Sequence, residues 1–292
     1  MSEPVEKMSW GQRQRLEFIE FRLFWDGRIN RSDLVDKFAV SIPQASTDLS
    51  QYRELAPDNI RYDPKERRYE PTVSFRPILL KPNAERYLAQ LKAVAEDVID
   101  ASDAWFAELP NVGITPIPSR RVEPQILRQF LEVIRSKRSV SILYQSMNEQ
   151  RPDPLWRAIT PHAFGSDGLR WHLRAYCHIE KKFKDFIISR CLQIGDMGDP
   201  SIDLVEDVAW STFFDVVLIP NPKLSAPQQK TIELDYGMQD GQCVVPVRRA
   251  LLYYFDKRLR LDVAEKHDRP KETPIIVANR LEYNRALGEL LY

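Results

Sequence analysis

From Gly11 to Trp25 the apolar residues Leu16, Ile19 and Leu23 recur three or four positions apart, with Arg13, Arg15, Glu17, Glu20 and Arg22 between them. That spacing predicts a first helix. After the break at Asp26-Gly27, Asn30 can cap a second, short helix with Leu34 and Phe38 on one face. Ser41-Ile42-Pro43-Gln44 has the form of a capping box with a proline in the first turn, so a third helix starts after only Ala39 and Val40. Two helices joined this tightly read as a helix-turn-helix. Ile60-Arg61-Tyr62 and Arg68-Tyr69-Glu70 then read as short strands around the turn Asp63-Pro64-Lys65-Glu66-Arg67, which makes residues 1–75 a winged helix-turn-helix.

Farther along, the rhythm changes twice. Prolines at 77 and 82 precede a helical stretch over Asn83–Val98, and prolines at 110, 116 and 118 precede another over Glu123–Lys137, with Ile126, Phe130 and Ile134 on one stripe. Residues 76–118 are thus expected to be a helical connector. Between Ser139 and Ile194 the period becomes two, with strand candidates at Val140–Ser146, Trp156–Phe164, Leu169–Tyr176 and Phe183–Gln193 and a tight turn at Ser166-Asp167-Gly168. Short strands in close succession predict a small barrel over residues 119–204. The rest, 205–292, mixes β-type stretches (Asp215–Ile219, Thr231–Tyr236) with helical ones (Val247–Phe255, Asn279–Leu291) and reads as a small α+β extension. The expected fold class is α+β, multidomain.

The third helix carries chemistry on its outer side. Ala45, Leu49 and Tyr52 form the inward stripe, while Gln44, Thr47, Asp48 and Gln51 are assigned to the opposite face. Amide side chains can pair bidentately with adenine and a threonine methyl can meet a thymine methyl, so the face suits base reading in a major groove. Ser41, Ser46, Ser50 and Arg53 flank it, and Lys65, Arg67 and Arg68 in the wing suit phosphate contact. The partner this implies is double-stranded operator DNA. The same pattern also fits an ordinary small helical domain with a solvated face. Residues 1–75 hold 12 Lys or Arg against 13 Asp or Glu, so attraction to DNA must come from local clusters.

In the third strand of the middle segment, Leu169, Trp171, Leu173 and Ala175 alternate with Arg170, His172, Arg174 and Tyr176. Trp171 is assigned to the core with Leu173. The cationic face can be joined by Arg190 near the end of the fourth strand, Lys182, His162, and the hydroxyls of Tyr144 and Ser146. Guanidiniums with aromatics suit a nucleotide or single-stranded nucleic acid, although simple solvated strand residues have the same composition.

Composition narrows the function classes. The 292 residues are 43% hydrophobic and 29% charged, with 42 basic and 42 acidic side chains, ordinary for a globular protein of two or three domains. No run approaches the roughly 20 apolar residues of a membrane span, and Met1–Trp10 is unlike a signal peptide, so a cytoplasmic protein without a membrane partner is expected. Cys177, Cys191 and Cys243 fit reduced thiols, and no CxxC pair points to a metal. With 10 glycines and no phosphate loop, GxSxG, HExxH or deaminase signature, neither catalysis nor a cofactor is expected.

Leu169-Arg170-Trp171-His172-Leu173-Arg174-Ala175-Tyr176 followed by Phe186-Ile187-Ile188-Ser189-Arg190 resembles the core of a WYL domain, with Trp171-His172-Leu173 as the namesake triplet. Tyr144-Gln145-Ser146 and Pro161-His162 also fall where such domains carry comparable pairs. Over the whole chain the order is similar to that of regulators of bacterial anti-phage islands, the BrxR and CapW types. The resemblance implies an Sm/SH3-like barrel and a homodimer formed through residues 205–292. It also implies repression of a defence operon from an inverted repeat, and release by a nucleotide or single-stranded nucleic acid. Tyr144, Ser146, His162, Arg170, His172, Arg174, Lys182 and Arg190 become the implied ligand residues, with His172 departing from the namesake tyrosine. An activator, or an accessory nucleic-acid-binding protein of a defence effector, stays open.

Overall fold

A computed structural model of the chain describes residues 8–118, 120–149, 152–199, 206–266 and 269–291. They divide into two compact units, one ending at Pro116 and the other starting at Ile117.

The first unit opens with α1 (Trp10–Trp25), α2 (Arg31–Phe38) and α3 (Ile42–Leu55), followed by β1 (Ile60–Asp63) and β2 (Arg68–Pro71). Local chemistry sets the boundaries. Ser9 caps α1, and Gly27 at φ 68° turns the chain after it. Asn30 and Asp33 form a reciprocal capping box on α2. Ala39 in the left-handed region ends α2, and the Ser41 side chain accepts the Gln44 amide to start α3. Leu16, Ile19, Leu23, Leu34, Ala45, Leu49 and Tyr52 close the core, as the helical stripes require. The wing pairs antiparallel, Asp63 opposite Arg68, and a bridge from Ile29 to Tyr69 ties it to the turn before α2.

The segment after the wing packs onto this same core. Within it α4 (Ala84–Ala95) sets Tyr87 against Phe21 and Trp25, and Trp105 meets Phe18 and Phe21 edge-on. Glu20, fully buried, accepts the phenol of Tyr52 and the amides of Ile78, Leu79 and Leu80, fixing the chain where it leaves the wing.

The second unit begins with α5 (Pro124–Ser136) and an antiparallel sheet of β3 (Ser139–Tyr144), β4 (Leu155–Ser166), β5 (Trp171–Cys177), β6 (Lys182–Ile187) and β7 (Cys191–Gly198), in the order β6-β5-β4-β3-β7. The expected barrel is not confirmed here, because among the described residues β6 and β7 each pair on one side and the sheet does not close. The helix substitutes for closure: Phe130 and Val133 of α5 cover Val140, Ile142, Ile159, Leu173 and Ala175. The single strand expected over Phe183–Gln193 is two strands broken by a 3₁₀ turn at Ile188–Arg190.

The chain continues through α6 (Val208–Ser211), β8 (Phe213–Pro220), α7 (Ala226–Asp235), β9 (Cys243–Arg248), α8 (Leu252–Arg258), α9 (Leu261–Lys266), β10 (Ile275–Val277) and α10 (Arg280–Leu291). A second sheet runs β10-β8-β9. Two expectations fail here. Thr231–Asp235 is the end of α7 and not a strand, because Ser225 and Gln228 form a capping box with Pro227 in the first turn and commit the segment to a helix. Val247 and Arg248 close β9, paired with Phe214 and Phe213, before the helical stretch begins.

Candidate nucleic-acid interface and ligand site

The third helix presents most of its assigned face outward. Ser41, Gln44, Thr47, Ser50 and Arg53 are exposed, and Ser46 and Gln51 are half-buried. Asp48 is the exception. It is fully buried, and Arg15 of α1 grips it with two hydrogen bonds, 2.6 and 3.1 Å, while Gln44 Nε2 donates to it at 3.1 Å. Gln51 accepts from Gln12 at 2.8 Å. The first helix thus fixes Gln51 directly and Gln44 through Asp48, which reduces the freedom these amides lose on meeting a base edge. Thr47 and Ser46 donate their hydroxyls to carbonyls one turn back and keep their lone pairs outward.

The wing turn is an Asx turn, with Asp63 accepting the amides of Lys65 and Glu66, and Arg67 adopts φ 52° at its end. Lys65 and Arg67 are exposed and have no acidic partner among the described residues. Arg68 is held by Glu66 and Glu70, and Arg61 by Glu70, so these two are partly neutralised. A shallow groove runs from Asn30, Arg31 and Ser32 past Ile42 to Arg67. Arg31 is a cation that sequence reading missed; its signal was its place just after the Asn30 cap.

The assigned ligand residues separate into two groups on opposite faces of the five-stranded sheet. Tyr144 lies on the α5 side, its hydroxyl accepting the Ile187 amide and its ring against Phe186. Burial pushes its phenol above the ordinary value, although the Ile187 amide and the Arg190 guanidinium pull the other way. Arg190 sits in the 3₁₀ turn beside it. Buried Arg157, also unforeseen, lies 5.7 Å from the Tyr144 ring centroid and 5.8 Å from that of Phe186. Ser146 accepts the Asn148 amide. Lys182 stands opposite Cys177 at the far end of the β5–β6 pair from His172 and belongs to neither group.

The second group is on the other face. A β-bulge in β4, where Pro161 pairs with Ala175 and Ala163 with Arg174, inserts His162 as an extra residue next to Arg174. Arg174 is buried and bidentate on Asp207, Nε at 2.8 Å and Nη2 at 3.1 Å, with Asp185 at 3.3 Å. His162 Nε2 lies 2.9 Å from the same Asp207 carboxylate. Burial opposes ionisation of Asp207, but the hydrogen bonds from His162 and Arg174 outweigh it and hold the carboxyl at about 2. In the same way Asp167 is held at about 2: burial raises it, and the amides of Leu169 and Arg170 with the side chains of His172 and Arg170 lower it further. His172 is 2% exposed, its ring lies tilted against that of Tyr254 with centroids 4.5 Å apart, and its Nδ1 has no hydrogen-bond partner.

Trp171 corrects another expectation. It is 58% exposed at the first position of β5 and lies outside the core that Leu173 and Ala175 join. Leu169 beside it is exposed as well.

Comparison with known proteins matches this architecture along the chain. Residues 11–93 match the winged helix-turn-helix domain of the BrxR transcriptional regulator, 125–194 the WYL domain, and 213–283 the BrxR C-terminal dimerization domain. A DNA-binding transcriptional repressor CapW of Stenotrophomonas maltophilia is 38% identical over 284 residues, spanning 97% of this chain and 94% of the relative. The chain belongs to the CapW repressor family. CapW of Escherichia coli (strain KTE188) is 40% identical over 273 residues and CapW of Pseudomonas aeruginosa 40% over 276, each spanning 94% of this chain and 91% of its own length. Among solved structures, the proteasome accessory factor B/C of Arthrobacter aurescens aligns with 97% of this chain and 49% of its own, at 16% identity and a TM-score of 0.23. Two of the three matched domains are those of the BrxR transcriptional regulator, and the relatives are DNA-binding transcriptional repressors. Among the described residues no helix is long and apolar enough to cross a membrane.

Proposed function

We propose that the protein is a homodimeric repressor of an anti-phage defence operon, which binds an inverted-repeat operator and is released by a nucleotide or single-stranded nucleic acid. The observation that carries the reading is the pair of contacts from α1 beneath α3, Arg15 on Asp48, which in turn accepts from Gln44, and Gln12 on Gln51, which together position the two amides of the outer face. In this reading α3 reads bases, with Ser41, Ser46, Ser50 and Arg53 on flanking phosphates, and the wing cations Lys65 and Arg67 supply backbone attraction with Arg68. Residues 1–75 are the DNA-binding domain, 76–118 its connector, 119–204 the sensor and 205–292 the dimerisation extension. The sensor ligand shifts the protein from an operator-binding to a non-binding form by its differential affinity for the two.

Fluorescence anisotropy of the full chain, with duplex DNA from upstream of its own gene and a scrambled duplex over a salt series, tests the reading. Tight, sequence-preferring and salt-sensitive binding is expected. Replacing Lys65 and Arg67 together by alanine should weaken binding to both duplexes and flatten the salt slope by about 2, one unit per phosphate contact. Equal weak binding of the unaltered chain to both duplexes overturns the reading.

A further inference from the structure

The cationic face of β5 is neutralised from within. Arg170 and His172 share Asp167, Arg174 is divided between Asp185 and Asp207, and His162 also holds Asp207. Both guanidiniums are engaged by carboxylates of the face itself, Asp167, Asp185 and Asp207, so an incoming anion must compete with these for them. We propose that the Asp207 carboxylate is a displaceable stand-in for a phosphate group of the ligand, occupying the Arg174–His162 site until an external phosphate takes it. The inference rests on the reading of this unit as a ligand sensor and adds how the ligand gains entry and what it moves.

Three features support it. The first is the recognition geometry, since Arg174 meets Asp207 through Nε and Nη2 in the planar fork that guanidinium offers equally to carboxylate and phosphate. The second is that Asp207 can withdraw. It is 3% exposed, but Glu206 and Val208 on either side are exposed, and α6 buries none of its residues, so its departure empties no core. The third is an unfilled position close by. Nε2 of His172 lies 3.1 Å from the Asp167 carboxylate, and its Nδ1 is buried with no hydrogen-bond partner. A ligand that carries a hydroxyl or amino group beside its phosphate satisfies it, and a bare phosphate does not. That combination describes a nucleotide unit, and Tyr254 and Trp210 at this face offer aromatic surface to its base.

Displacement has a local consequence. Asp207 also accepts the amide of Trp210 and so caps α6. The Trp210 carbonyl in turn accepts from Arg248, whose guanidinium lies 5.0 Å from the Trp210 ring centroid and 4.7 Å from that of Phe213. Phe213 and Arg248 are the paired ends of β8 and β9, within the segment that matches the dimerization domain. Removing the cap loosens the first link of that series.

Calorimetric titration of the full chain with hexathymidylate and, separately, inorganic pyrophosphate tests the proposal in the unaltered protein, Asp207→Asn and Arg174→Ala. Asp207→Asn should bind hexathymidylate at least about 10-fold more tightly than the unaltered chain, and Arg174→Ala should not bind it. Tighter binding of hexathymidylate than pyrophosphate assigns the site to a nucleotide unit, and the reverse removes His172 from the ligand contact. Unchanged or weaker hexathymidylate binding in a folded Asp207→Asn protein overturns the stand-in. Should that variant not fold, hydrogen exchange of the unaltered chain decides: saturating hexathymidylate must speed exchange of the Trp210–Thr212 amides, and no change, or no binding, overturns the proposal. Failure of duplex binding in the anisotropy experiment would instead sink the operator reading.

Discussion

Glu20 in the first unit and Asp207 in the second are both buried carboxylates with four donors, yet the donors differ in kind. Glu20 is met by three backbone amides and a phenol, all fixed by the fold. Asp207 is met by one amide and by the side chains of Arg174 and His162. Backbone amides cannot turn to another partner without unravelling the segment that carries them, whereas side-chain cations can exchange one anion for another. A carboxylate on amides is therefore a rivet, and a carboxylate on guanidinium and imidazole is an exchangeable contact. The contrast predicts which of the two the protein can give up while remaining folded.

The largest effect should come from Glu20→Ala, which strands three amides and the Tyr52 hydroxyl in the core and should cost roughly 4 kcal/mol of the first unit's stability in urea unfolding. Glu20→Gln should fall between, since its amide retains one accepting oxygen. Asp207→Ala should cost less, about 2 kcal/mol without ligand, because Arg174 keeps Asp185. A loss as large as that of Glu20→Ala would make Asp207 a rivet too. Its dependence on pH sharpens the point. The Asp207 carboxyl is held at about 2 against an ordinary 3.8, so its contribution is complete above about pH 4 and is lost as pH falls toward about 2. The stability difference between the unaltered protein and Asp207→Asn should shrink as pH falls through that window. The smallest effect sets the floor: Arg61→Ala, breaking an exposed pair with Glu70 in the wing, should change stability by no more than about 0.5 kcal/mol.

What the sequence made legible was local. Asn30, Ser41 and the inward stripe Ala45-Leu49-Tyr52 are decided within one helical turn, and the structure follows them. Asp48 was misassigned to the outer face because its partner, Arg15, lies 33 residues earlier, and no local pattern distinguishes a solvated aspartate from one met by a guanidinium. The alternation of β5 was legible, but the neutralisation of its cations was not, since Asp207 arrives from 33 residues downstream. The alternation over Thr231–Tyr236 mimics a strand, but the Ser225-Ala226-Pro227-Gln228 start signal just upstream commits the segment to a helix through Asp235. Trp171 followed its alternation correctly; what failed was the assumption that the core extends to the first residue of the strand.

The bulge at His162 has a consequence for how this site is kept or lost in descent. The residues before it, Ile159 and Pro161, and the residue after it, Phe164, pair with Cys177, Ala175 and Leu173, so the bulged residue is an addition to an otherwise continuous ladder. Deleting that single codon leaves every other pairing and core side chain where it was and removes only the imidazole that shares Asp207. The fold can thus shed the imidazole's share of this grip in one genetic step without being rebuilt.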